Sequence, residues 1–114
     1  MREYKVDVLG TPWVVKVLPQ NEDAKLKDCD GYCDKTTKTC VLLDTASTES
    51  CNLGDPEWYT KKNIRHELVH AFMFEAGLAE NWAHRDYGQE ETTVDWIAHI
   101  FPKMLAAFQQ ADAV

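Results

Sequence analysis

Three side chains within five residues carry the most chemistry in this chain: His66, Glu67 and His70, in the string His66-Glu67-Leu68-Val69-His70. On a helix each residue turns by about 100°, so residues four apart lie about 40° apart on one face, one turn along. Two imidazoles so placed can share one Zn²⁺. A glutamate beside them can act as general base on water activated by that ion. The plainer reading is an amphipathic helix with surface His and Glu. Against it, Ile64, Leu68, Val69, Ala71, Phe72, Met73 and Phe74 surround the string, which predicts a helix buried in its second half. Two His and one Glu in such a setting need partners, and a metal supplies them.

A tetrahedral zinc site of the catalytic kind needs a third protein ligand. The continuation that places Gly at position 73 and His at position 76 is absent, because those residues are Met73 and Ala76. A downstream helix offers Glu91 and Asp95, again four apart on one face. Glu91 can complete a His₂Glu set, and Asp95 can accept the other ring proton of a ligating His and fix its orientation. The plainer reading of Glu91 is an acidic residue favoured by the dipole of a first helical turn. His84, 14 residues after His70, is the rival third ligand. If Glu91 is the ligand, His84 or Tyr87 can instead face the metal and stabilise an oxyanion. His99 reads as an ordinary helix residue.

The elements that must hold these groups follow from patterning. Strands are predicted at 3–9 and 13–18, joined by a tight turn over Gly10-Thr11-Pro12, and a third at 38–44. Residues 19–37 read as polar and turn-rich, with Asp30-Gly31 as a turn signal. Asp55, Pro56 and Glu57 form a helix start and Gly77 a helix stop, which sets the first helix at 56–76. A second is predicted at 89–112, with Pro102 kinking or interrupting it. Trp58, Trp82, Trp96 and Phe101 are expected in the core, with Trp82 the best exception as a substrate platform. Strands followed by helices predict an α+β fold.

Composition sets outer limits. The chain has 114 residues, enough for a single domain over 1–114. Its 12 Lys and Arg against 19 Asp and Glu give a net charge of −7, which argues against a nucleic-acid partner. Charges interrupt the N-terminal residues at once and no run approaches a membrane span, so the expectation is a cytoplasmic protein without a membrane partner. Cysteines at 29, 33, 40 and 51 lack paired C-x₂-C spacing. They read as reduced thiols, with Cys40 packed as a small hydrophobe in a strand. The alternatives are a second metal and a disulfide from Cys29 to Cys33 or Cys40. Asp28, Asp30 and Asp34 read as a solvated turn.

HExxH followed by Glu91-Thr92-Thr93-Val94-Asp95 resembles the gluzincin metallopeptidases, and the small size is similar to the minigluzincins and the ImmA/IrrE-like zincins. Arg65 to Phe72, Glu75-Ala76-Gly77-Leu78, Trp82-Ala83, Val94-Asp95-Trp96 and Asp30 to Asp34 most resemble small metallopeptidases of phages and prophages of Gram-positive bacteria. The resemblance spans about residues 30–105. It implies a zincin-like minimal domain: a small twisted sheet of three or more strands on an HExxH helix and a C-terminal glutamate helix. The expected function is zinc-dependent hydrolysis of a peptide or protein substrate, which adds as a strand along residues 38–44 taken as the sheet edge. The alternatives are a regulatory metal-binding domain that grips a protein without cutting, a SprT-like protease with His84 as ligand, and a purely structural zinc.

Overall fold

A computed structural model of the chain describes residues 1–78 and 91–114, apart from the side chains of residues 91, 92, 94, 95 and 98. It is an α+β domain with a four-stranded sheet, β1 (Arg2–Val8), β2 (Thr11–Leu18), β3 (Gly31–Asp34) and β4 (Thr39–Leu43), and two helices, α1 (Pro56–Glu75) and α2 (Glu91–Gln110). The sheet order is β1-β2-β4-β3. β1 and β2 are antiparallel, β2 and β4 parallel, and β3 and β4 antiparallel.

The first hairpin turns on Leu9 and Gly10, not on Gly10 to Pro12 as the residue types suggest. Both have positive φ, 51° and 90°, the combination that matches the twist of a two-residue hairpin. Pro12 therefore already lies in β2, opposite Asp7. It is tolerated there because β2 pairs with β4 only from Val14 onward, so no ladder bond is required of its nitrogen on that side. Beyond it, Trp13, Val15 and Val17 alternate inward and are almost wholly buried.

The sequence reading places a third strand at 38–44 and makes it the sheet edge. The strand is there, but the edge is not. β4 lies between β2 and β3, and its two faces are both covered. Cys40 and Leu42 join the main core, while Val41 and Leu43 pack with Leu26, Leu18 and Tyr32 on the other side. A near-continuous apolar run is what burial on both faces selects. The true edge on that side is β3, which the predicted polar loop concealed. Short 3₁₀ turns at Gln20–Glu22 and Ala24–Lys27 complete that segment.

Asp55 caps α1 by accepting a hydrogen bond from the Trp58 amide at 3.0 Å, and Gly77, at φ 82°, ends it. Ile64, Leu68, Ala71 and Phe72 form its buried stripe, the i, i+4, i+7, i+8 pattern of a helix that covers a sheet on one face. Burial all round the second half is not observed; His66 and His70 are exposed. α2 buries Ile100, Met104, Ala107 and Phe108 with the same spacing and packs on β1 and α1. Pro102 does not interrupt it. The ring sits on the exposed side, where the carbonyl four residues earlier can bond to water instead. Exposure also corrects the expected core: Trp58 and Phe101 are 59% and 49% exposed, whereas Trp13 is the buried tryptophan and Trp96 packs at the core margin. The apolar stripes of α1 and α2 fall on other residues, which leaves Trp58 and Phe101 on outward faces. Trp82 lies outside the described residues. Among those described, no helix is long and apolar enough to cross a membrane.

Candidate metal centre on the first helix

α1 runs across β4 and β3 and divides the HExxH string between two environments. His66 and His70 point from the open side of the helix. Their rings meet edge to face, with centroids 4.9 Å apart and planes at 73°. Their Nε2 atoms are 3.2 Å apart. Two ligands at about 2.0–2.1 Å from a tetrahedral ion span about 3.3 Å, so this separation is already that of two imidazoles on one zinc. The same distance permits a ring-to-ring hydrogen bond when no ion is held.

Glu67 lies about 60–100° round the helix from them, on the flank turned toward the sheet, and is 9% exposed. Among the described residues no cation forms an ion pair with it. It packs beneath the sheet edge against Gly31. A Cβ on Gly31 would lie 3.4 Å from Glu67 Cγ, 3.0 Å from the Val41 carbonyl oxygen and 2.5 Å from Leu42 Cδ1. The last contact is far inside van der Waals distance, and Leu42 is fully buried, so the glycine is required for space rather than for backbone conformation. The sequence signal Asp30-Gly31 suggests a turn. In the fold the glycine begins the edge strand and leaves room for the Leu42 side chain and the Val41 carbonyl.

Glu67 is the end of a polar row along α1. Tyr59 and Asn63 precede it at intervals of four, which puts all three on one face. Tyr59 donates to Asp30 Oδ2 at 2.6 Å, and that bond holds the phenol above its ordinary pKa. Asn63 is 7% exposed and its Nδ2 has no partner among the described residues. Sequence reasoning missed this row; the period of four from Tyr59 through Asn63 to Glu67 was the available signal.

Two thiols lie under the same turn of α1. Cys33 Sγ is 3.1 Å from Cys40 Sγ and 3.1 Å from the Glu67 carbonyl oxygen. The contact with Cys40, then burial, then the charge of nearby Glu67 push the Cys33 thiol well up from its usual value. Cys40 is fully buried, and all four cysteines are free.

The remaining predicted site residues divide by position. Glu91 opens α2 and Asp95 follows one turn later; their side chains lie outside the described residues, as do His84 and Tyr87 entirely. His99 is exposed on α2. Among the described residues no group of three or more His, Cys, Asp or Glu is assembled around one point, so the described part of the centre is the His66–His70 pair with Glu67 beside it. No protein-family model, curated protein or solved structure matches the chain.

Proposed function

We propose that the chain is a zinc-dependent peptidase of the gluzincin type. The observation that carries this reading is the 3.2 Å separation of His66 Nε2 and His70 Nε2, with the carboxyl-bearing Glu67 between them in sequence. The donor set fits zinc, since neutral imidazole is among its commonest ligands. In this reading Glu91 is the third ligand and Asp95 orients a ligating ring. Zinc bound there supplies a Lewis acid and brings the pKa of water toward about 7.

The chain's own groups do the rest. His66 and His70 fix the ion at the open side of α1. Glu67 accepts a proton from the water that attacks a peptide carbonyl and returns it to the leaving amine. Its burial keeps solvent from competing for that proton. His84 or Tyr87 stabilises charge on the carbonyl oxygen. The substrate is an extended peptide that adds to β3, since the outer side of Gly31–Asp34 is the sheet edge nearest Glu67. Main-chain pairing of that kind gives affinity with little choice of sequence.

The test is hydrolysis of an unfolded protein by the zinc-loaded chain and by Glu67→Gln, with zinc content measured in both. The reading expects equal zinc and hydrolysis only in the wild-type chain, abolished by a chelator. Wild-type hydrolysis in Glu67→Gln contradicts it. Zinc bound with no hydrolysis by the wild-type chain favours a domain that grips a protein without cutting.

A further inference from the structure

Cys33 and Cys40 are direct partners in the β3–β4 ladder. The Leu43 amide donates to the Asp30 carbonyl at 2.9 Å, which makes Asp30 and Leu43 a hydrogen-bonded pair of that ladder. Antiparallel pairs alternate, so Gly31 with Leu42 is non-bonded, Tyr32 with Val41 bonded, and Cys33 with Cys40 non-bonded. In non-bonded pairs the Cα atoms approach to about 4.5 Å and the side chains are closest, a spacing inside the range that a disulfide spans. The two sulfurs are indeed 3.1 Å apart. They need close by only about 1 Å to reach bonding distance. Cys33 is half-buried and reachable, while Cys40 is sealed beneath it. Cys29, by contrast, is exposed, and its thiol is turned to the Lys25 carbonyl at 3.3 Å.

We infer that Cys33 and Cys40 form a dithiol oxidation site that closes to a cross-strand disulfide in exchange with a low-molecular-weight disulfide. The Cys33 thiolate attacks one sulfur of the external disulfide and displaces one thiolate. The Cys40 thiolate then attacks the Cys33 sulfur and displaces the second. The two protein thiols are oxidised, the external disulfide is reduced to two thiols, and the two protons pass to those products. Because Cys40 is fully buried and Cys33 half-buried, access is restricted and the exchange is slow, on the scale of hours.

The bond has a structural consequence. β3 is a four-residue edge strand, paired on one side only, and the disulfide pins it to β4 one rung from the turn that joins the two strands. It also removes the thiol hydrogens that face the Glu67 carbonyl, at 3.1 Å from Cys33 and 3.8 Å from Cys40. Oxidation thus sets the rigidity of the edge above the HExxH turn. This inference concerns the hairpin and stands whether or not the histidines hold zinc.

The experiment uses the full chain, fully reduced and then incubated overnight with graded ratios of oxidised to reduced glutathione. Samples are acid-quenched, alkylated, and mapped by mass spectrometry. The expected result is a linked Cys33–Cys40 peptide with Cys29 and Cys51 alkylated, reversed by dithiothreitol. The melting temperature should rise on the order of 5–10 °C, from closing a short loop in the unfolded chain. The Cys29→Ser/Cys51→Ser double variant should keep both effects and Cys33→Ser should lose both. Alkylated Cys33 and Cys40 alongside glutathione or intermolecular bonds on Cys29 or Cys51 would overturn the inference. A linked pair with a lowered melting temperature would overturn the claim that the reduced hairpin already has disulfide geometry.

Discussion

Two glutamates sit two turns apart on α1 and are treated in opposite ways. Glu75, at the end of the helix, is saturated with donors. Trp13 Nε1 donates to it at 2.9 Å, Thr11 Oγ1 at 3.3 Å, and Lys38 Nζ lies 3.4 Å away. Burial raises its pKa, but the bonds from Trp13, Lys38 and Thr11 and the Lys38 charge outweigh it, so its carboxyl is held below the usual range. Glu67 is buried in the middle of the helix with no cation paired to it among the described residues, beside two thiols and beneath a glycine. A carboxylate that serves the fold is surrounded by groups that favour its charge. One left in a poorly compensated place costs stability, and such places are where chemistry is found.

The contrast can be broken by exchange of each glutamate for its neutral isostere. The largest expected effect is on Glu67→Gln: hydrolysis falls about 10²–10⁴-fold, the usual worth of a general base, while stability stays level or rises. Assay of activity beside a denaturant midpoint reads both at once. A loss of stability matching the loss of activity would make Glu67 a structural residue like Glu75.

Gly31→Ala should come next. The added Cβ, 2.5 Å from Leu42 Cδ1, overpacks the edge and costs about 1–3 kcal/mol. An unchanged urea midpoint would show that β3 yields freely. Glu75→Gln should cost about 1–2 kcal/mol, because Trp13, 1% exposed, loses a charged acceptor. Zinc content should not change. The smallest effect is on the acid limb. A lowered folded pKa contributes stability that is complete above the unfolded carboxylate value of about 4.3 and is lost as pH falls through the folded value. Unfolding curves from pH 6 down to pH 3 should therefore fall more steeply for the wild type than for Glu75→Gln; parallel curves would contradict the assignment.

How much of this was legible in sequence follows the same contrast. The HExxH string, the Asp55 cap, the Gly77 stop and the α+β order rest on local chemistry and could be read directly. β3 could not, because four residues that open with glycine and end with aspartate carry no alternation to count. The row Tyr59, Asn63 and Glu67 was hidden for a related reason: its partners Asp30 and Gly31 lie on a strand far away in sequence, and only the fold brings them to α1. The tryptophans misled because aromatic type alone does not say which side of a helix faces the core; Trp58 lies on a face that the sheet does not cover. Glu75 gave no signal either, since its donors come from β2 and the β3–β4 turn.

The central claim is that α1 carries a zinc centre through His66 and His70, and a zinc titration of the metal-free chain followed by calorimetry tests it most directly. The account predicts one equivalent bound with release of heat and a raised melting temperature, strongly weakened in His66→Ala and in His70→Ala and unaffected in Glu75→Gln. Absence of binding, or equal binding by the wild-type chain and a His66→Ala/His70→Ala double variant, would contradict it.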